Sequence, residues 1–188
     1  MEEKYIPLMQ KIEALIKEKG KVCIAIDGGA GSGKTTLADF LCKHYGAEVI
    51  HMDDFFLRPE QRTAERLSEA GGNFDRERFV EEVLPHLVRK EPFSYQCFDC
   101  SVMALGAYRE VPMGALTVVE GSYSHHPALA AAYDLRVFLH VDEDTQRARI
   151  IERNGKRAEM FFSRWIPMEK RYFETFLIEE MADLVIEG

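Results

Sequence analysis

The sequence predicts one α/β domain, residues 1–188, built as three layers with helices on both faces of a mostly parallel sheet. Short apolar runs alternate along the chain with segments whose apolar residues recur at helical spacing. The short runs are apolar almost throughout, which is typical of parallel strands buried on both faces. A chain of 188 residues also has the length of one domain with one sizeable core.

Each element follows from these two patterns. An amphipathic helix opens the chain and ends near Gly20, and Asp75 is a suitable N-cap for a later helix. The predicted helices cover residues 1–20, 34–44, 75–88, 142–153 and 160–181, and the predicted strands cover 22–26, 47–52, 115–119, 134–141 and 184–186. Residues 93–108 fit either two short strands or a loop. Ligands of such sheets bind beyond the carboxyl ends of the strands, so we expect the functional residues there.

Composition and charge narrow the function classes. The net charge of −8 argues against a general nucleic-acid binder, while a local phosphate site remains compatible with it. No apolar run approaches the roughly 20 residues of a membrane helix, and charges interrupt the N-terminal segment where a signal peptide would be apolar. We therefore expect a cytoplasmic protein with four reduced cysteines, whose oligomeric state stays open. A metal or redox role for Cys97 and Cys100 is the less favoured alternative.

Residues 28–35 read Gly-Gly-Ala-Gly-Ser-Gly-Lys-Thr and match the phosphate-loop pattern G-x-x-x-x-G-K-[ST], between a predicted strand and a predicted helix. Glycines let the backbone turn several N–H groups toward phosphate oxygens, and the helix adds its positive dipole end. The motif predicts the P-loop NTPase fold, with Lys34 on the β- and γ-phosphates and the Thr35 hydroxyl on Mg²⁺. The predicted nucleotide-binding residues are Gly28, Gly29, Ala30, Gly31, Ser32, Gly33, Lys34, Thr35, Thr36 and Arg157.

A phosphate loop alone selects the nucleotide and not the reaction. A GTPase would carry an N-K-x-D guanine motif, and the only asparagines are Asn73 and Asn154, neither of which stands in one. A motor ATPase would be larger. We therefore take ATP as the nucleotide.

Acidic residues follow two of the predicted strands. Asp53 can orient the hydroxyl that accepts a phosphoryl group and take its proton, as the catalytic base. Phe55 beside it can form a pocket wall that stacks on a flat ligand. Glu120 ends another strand and, with Thr35, can hold Mg²⁺. The structural alternative is an exposed turn or a helix N-cap before Phe55 for Asp53, and a solvated turn for Glu120.

Arginines crowd a segment around Asn154 and Gly155. Guanidinium groups stabilise the negative charge that spreads over the γ-phosphoryl oxygens during transfer. Residues 147–160 are therefore predicted to be a short arginine-rich lid, with Arg149 and Arg153 catalytic. An ordinary basic helix surface is the alternative for any single arginine.

With these residues in hand, the chain resembles the uridine kinase family of P-loop nucleoside kinases and its relatives, the nicotinamide riboside kinases. The segments that carry the resemblance are 51–56 (HMDDFF), 72–75 (GNFD), 118–121 (VVEG) and 165–173 (WIPMEKRYF). The resemblance implies that Asp53 is the base, that Asp75 binds ribose hydroxyls and that Glu120 lies near Mg²⁺. Phe98 falls in a stretch similar to the family's substrate-binding Tyr-Asp segment, and Met103 stands where the family has the histidine that reads the pyrimidine.

The sequence therefore predicts a phosphotransferase that moves the γ-phosphate of ATP to an alcohol group of a small nucleoside-like compound. Tyr123, in a polar stretch after Glu120, is a further candidate for binding that compound. Nicotinamide riboside, pantothenate or a sugar phosphate remains an alternative acceptor. A regulatory protein that binds ATP without catalysis is the alternative from another class.

Overall fold

A five-stranded parallel sheet forms the middle layer of the computed structural model, which describes residues 3–188. The strands in chain order are β1 (Val22–Gly28), β2 (Glu48–His51), β3 (Phe93–Asp99), β4 (Ala104–Val111), β5 (Leu116–Glu120), β6 (Leu135–His140) and β7 (Leu184–Glu187). The sheet has the order β2-β5-β1-β6-β7, and all its pairs are parallel. β3 and β4 form a separate antiparallel hairpin.

The helices pack against both faces of this sheet. They are α1 (Ile6–Lys19), α2 (Lys34–Tyr45), α3 (Ala64–Ser68), α4 (Arg76–Glu82), α5 (Leu84–Arg89), α6 (Glu143–Asn154), α7 (Ala158–Met160) and α8 (Ile166–Phe176). A π-helical segment, Phe161–Trp165, joins α7 to α8. No helix of residues 3–188 is both long enough and apolar enough to cross a membrane.

Two apolar clusters separate the layers. Alternate side chains of β1 point to opposite faces, as the strand period of two requires. Ile24 packs with α1 and α2 in one cluster, through residues such as Leu8 and Leu37. Cys23 belongs to the other cluster, which includes Phe79 of α4 and Tyr172 of α8. The three-layer α/β/α class predicted from the sequence is confirmed.

Several predicted boundaries were wrong for identifiable reasons. The predicted helix 75–88 is two helices, because Pro85 at the start of α5 lacks an N–H for the preceding turn. The last long helix ends at Phe176, where Leu177 adopts a positive φ of 50°. The ambiguous stretch 93–108 resolves as the β3–β4 hairpin.

The carboxyl ends of the central strands lie side by side. Glu120 at the end of β5 pairs in register with Ile26 of β1 and His51 of β2. The phosphate loop leaves β1 at this edge, and the turn Met52–Phe55 leaves β2 there. Because the strands are parallel, their terminal residues meet at one edge, which is where the sequence placed the functional residues.

Candidate active site

The loop between β1 and α2 has a backbone that only glycine accommodates at its first position. Gly28 has φ +145°, and a Cβ there would overlap the carbonyl oxygen of Leu139. Gly33 has φ +98° and precedes α2 with no side chain of residues 3–188 capping the helix. The first amides of α2 therefore remain available to an anion. The Ser32 hydroxyl is also buried and has no hydrogen-bond partner among residues 3–188. The loop therefore suits phosphate oxygens.

A buried carboxylate anchors the start of this loop. Asp27, fully buried at the end of β1, accepts hydrogen bonds from the Gly28 amide (2.7 Å) and the His125 amide (2.9 Å). The Tyr172 hydroxyl of α8 donates a third, at 2.8 Å. Each hydrogen bond stabilises the charge that burial disfavours. Asp27 therefore connects the loop to α8.

Side chains from α2 and α6 hold the loop's carbonyl groups. The Lys34 ammonium donates to the carbonyl oxygens of Gly28 (2.7 Å) and Gly29 (2.9 Å). Arg149 donates to the Gly31 carbonyl at 3.1 Å. These hydrogen bonds hold the positive charges of Lys34 and Arg149 at the loop. This is where the sequence predicted that phosphate binds.

Two cavities, each of about 360 Å³, meet at the loop. The first, the nucleotide-side cavity, is lined by residues 31–36 of the loop and helix start, by Arg149, and by Tyr5 near the N-terminus. The second, the acceptor-side cavity, is lined by Asp53, Glu120 and several aromatic rings. Lys34, Thr35 and Arg153 line both cavities. A group that passes from one cavity to the other must therefore pass these three side chains.

Thr35 and Glu120 provide oxygen ligands at the junction. The Thr35 hydroxyl lies 3.4 Å from Glu120 Oε2, and His51 Nδ1 donates to Glu120 Oε1 at 2.6 Å. This hydrogen bond raises the pKa of His51. Within residues 3–188 no group of three His, Cys, Asp or Glu side chains could hold a metal. Mg²⁺ keeps several waters and substrate oxygens, so a hydroxyl and one carboxylate fit it.

Asp53 borders the acceptor-side cavity from the turn Met52–Phe55. Asp53 is solvent-exposed and lines that cavity. Burial, and then the charge of Glu120, raise the pKa of Asp53 above its ordinary value, and Lys34 opposes this shift. A carboxylate with a raised pKa is a stronger proton acceptor, which is the property a catalytic base needs.

Glu169 of α8 is a cavity residue that sequence reasoning missed. Its Oε2 accepts from the Ala30 amide of the loop (3.0 Å), and Ser122 Oγ donates to its Oε1 (2.6 Å). It is 6% exposed and lines the acceptor-side cavity, and burial raises its pKa. Glu169 stands three residues from the buried Tyr172, so both side chains leave the same face of α8. A charged residue on an otherwise apolar helix face was the sequence feature that could have indicated its role.

The other predicted substrate-binding residues are divided between the cavity and the core. Tyr123 lines the acceptor-side cavity. Phe55 is fully buried against Phe79 and Tyr95, and its neighbour Phe56 lines the cavity instead. Phe98 is buried in β3, outside the cavity lining.

Asp75 and the lid residue Arg157 also lie outside both cavity linings. Asp75 caps α4 by accepting from the Arg78 amide, and it accepts from Gln61 Nε2 at 2.9 Å. Asn73, two residues earlier, lines the cavity. Arg157 is exposed in the turn Gly155–Arg157. Met103, with a positive φ of 55°, lies in the turn of the hairpin and is 38% exposed.

Several known proteins are similar to this chain, although no protein-family model matches it. Uridine kinase-like protein 4 of Arabidopsis thaliana is 25% identical over 178 residues, which are 87% of this chain and 38% of the relative. Uridine kinase of Streptococcus pneumoniae is 22% identical over 88% of this chain and 84% of its own length. A chain from Bacillus stearothermophilus described as a possible uridine kinase superposes with a TM-score of 0.70 at 22% identity, covering 97% of this chain and all of its own.

The fold and the phosphate loop thus define the class: this chain has the fold of the P-loop kinases. Among them, its similarity is to uridine kinases, so the resemblance predicted from the four sequence segments is confirmed. The chain spans well under half of the Arabidopsis relative and most of the bacterial one.

Proposed function

We propose that this chain is an ATP-dependent small-molecule kinase that transfers the γ-phosphate to an alcohol group of a nucleoside or nucleoside-like compound. The observation that carries the proposal is the pair of cavities joined at Lys34, Thr35 and Arg153. Phosphoryl transfer needs two binding sites that share a charged junction, because donor and acceptor must meet in line while water is excluded. The names of the relatives support a uridine-like acceptor.

Each side chain at the junction has a role in this proposal. Asp53 orients the acceptor hydroxyl and removes its proton. Lys34 leaves the loop carbonyls for the phosphates, and Arg153 neutralises charge at the transferred group. Thr35 and Glu120 hold Mg²⁺, which shields the phosphate charge when bound.

Residues 147–160 act as the lid in this proposal. Arg149 and Arg153 both project from α6 to the nucleotide-side cavity. Arg149 already contacts the loop at Gly31, so a small movement of α6 changes the position of both guanidinium groups relative to the phosphates. The exposed Arg157 requires a larger movement of the turn after α6 to reach them.

The test compares Asp53→Asn with Lys34→Ala in an assay for acceptor-dependent ADP release with Mg-ATP. Asp53→Asn should retain ATP affinity and lose turnover by about 10²-fold or more, because general base catalysis contributes about 10²–10⁴-fold. Lys34→Ala should lose both affinity and turnover. Normal turnover by Asp53→Asn would remove Asp53 from the mechanism. ATP binding without ADP release for any acceptor would favour a regulatory ATP-binding protein instead.

A further inference from the structure

We propose that Asp54 is a positioning residue: its carboxylate, held by Tyr95 of the β3–β4 hairpin, fixes the turn Met52–Phe55 so that Asp53 faces the acceptor. The inference rests on the proposed function, because Asp53 is the base of that reaction. It assigns different roles to two adjacent aspartates that the sequence alone does not separate. It also gives the hairpin a part in catalysis, although no residue of the hairpin lines either cavity.

The two aspartates share one turn but have different surroundings. Asp53 is exposed and lines the acceptor-side cavity, whereas Asp54 is half-buried and lines neither cavity. In a 3₁₀ turn, successive side chains leave the backbone about 120° apart, so the two carboxyl groups diverge. Within residues 3–188 no hydrogen bond or ion pair involves the Asp53 carboxyl group. That group is therefore free for an acceptor hydroxyl, and the backbone of the turn has to set its direction.

The Asp54 carboxylate is anchored to the hairpin. The Tyr95 hydroxyl of β3 donates to Asp54 Oδ2 at 2.7 Å, and Tyr95 is only 1% exposed. Burial, and then the charge of Asp54, raise the pKa of Tyr95, so the phenol keeps the proton that it donates. Burial and the same charge raise the pKa of Cys97, two residues along the strand. Hydrogen bonds to a charged group are about twice as strong as neutral ones, so the carboxylate is held firmly.

Contacts to α4 also hold the backbone of the turn. Arg78 is 8% exposed and donates to the Asp54 carbonyl oxygen, and its guanidinium lies 4.4 Å from the centre of the Phe55 ring. Phe55 is fully buried, and its carbonyl oxygen accepts from the Asp75 amide at 2.7 Å. These contacts restrain the two residues after Asp53 and leave the Asp53 side chain free. The Asp54 side chain adds the link between this restrained turn and the hairpin.

Loss of the link should slow the transfer step and leave nucleotide binding unchanged. A misplacement of about 1 Å can cost about 10²-fold in rate, because the base and the acceptor hydroxyl must be aligned. The nucleotide-side cavity contains no residue of the turn Met52–Phe55. The effect should therefore fall on kcat, while KM for ATP stays nearly constant.

The experiment measures kcat and KM for ADP release with Mg-ATP and uridine or nicotinamide riboside. The variants are Asp54→Ala, Asp54→Asn, Tyr95→Phe and the double variant of Asp54→Ala with Tyr95→Phe. Asparagine keeps an oxygen that accepts from Tyr95, whereas alanine removes it. Tyr108→Phe is the control, because Tyr108 lies on the same hairpin and is 70% exposed. Thermal melting checks that each variant is folded, and crystal structures of both Asp54 variants locate the Asp53 carboxyl group.

Asp54→Ala should lower kcat about tenfold or more, keep KM for ATP within about threefold, and displace the Asp53 carboxyl group by about 1 Å or more. Asp54→Asn should stay within about threefold of the unmodified chain, whereas Asp53→Asn loses about 10²-fold or more. Tyr95→Phe should also lower kcat, and Tyr108→Phe should not. The double variant should lose little more than Asp54→Ala, because both residues act through one hydrogen bond.

Four results would each overturn the inference: a normal kcat in Asp54→Ala, an undisplaced Asp53 carboxyl group in that variant, an Asp54→Asn variant as inactive as Asp53→Asn, or losses that multiply in the double variant. If the unmodified chain released no ADP with either compound, the kinase proposal would be contradicted. The crystal structures would then decide the positioning role by themselves, since a displaced Asp53 carboxyl group in Asp54→Ala supports it without any turnover.

Discussion

Replacing Tyr172 with phenylalanine tests whether α8 is fastened to the phosphate loop through Asp27. The lost group is one buried hydroxyl that donates to a fully buried carboxylate at 2.8 Å. A hydrogen bond to a charged group contributes about 1.5–3 kcal/mol to stability. Asp27 keeps its two backbone donors, so the loss should be near the middle of that range, about 2 kcal/mol. For a chain of this length that corresponds to a fall in Tm of about 4–8 °C.

Urea denaturation followed by circular dichroism measures the change in unfolding free energy, with the m-value expected to stay constant. Tyr108→Phe is the matched control, because Tyr108 is 70% exposed and should change stability by no more than about 0.5 kcal/mol. Because Asp27 also accepts from the Gly28 amide, Tyr172→Phe should weaken ATP binding as well. If Tyr172→Phe were no less stable than Tyr108→Phe, the connection through Asp27 would contribute nothing to the fold.

Two further predictions concern the sheet edge. The raised pKa of Asp53 should place the acid limb of kcat/KM above the ordinary value of 3.8 for an aspartic acid, because activity requires the carboxylate and is lost as pH falls through its pKa. A pH–rate profile of kcat/KM with its midpoint at or below that value would contradict this. Gly28→Ala should destabilise the protein by about 3 kcal/mol or more, since its Cβ would overlap the Leu139 carbonyl, whereas Gly114→Ala, with open space around its Cα, should be nearly neutral in the same urea assay.

The parallel sheet could be predicted because its strands are short and apolar on both faces. β1 and β5 are buried along their whole length, and the predicted runs match them to within a few residues. The hairpin could not be predicted with the same certainty. β3 alternates buried and exposed residues only partly, and a register shift between Gln96 and Phe98 breaks the alternation.

The positions of some candidate site residues followed from a motif or a strand end, whereas others depended on the direction of their side chains. Lys34, Asp53 and Glu120 line one cavity, as strand ends in a parallel sheet lead one to expect. Phe55 and Phe56 are adjacent, and only tertiary packing determines that the second of them faces the cavity. An aspartate can bind ribose hydroxyls, but aspartate is also a preferred helix N-cap. Asp75 caps α4, and its sequence alone could not distinguish the two roles.

The helix α8 joins the features that the sequence presents as separate. Tyr172 and Glu169 stand three residues apart, so they leave the same face of the helix. One reaches Asp27 below the phosphate loop, and the other reaches Ala30 within it. A loop movement that alters the Ala30 amide must therefore also alter the carboxyl group that lines the acceptor-side cavity. This shared contact gives nucleotide binding a direct physical route to the acceptor's environment, without any movement of the exposed turn after α6.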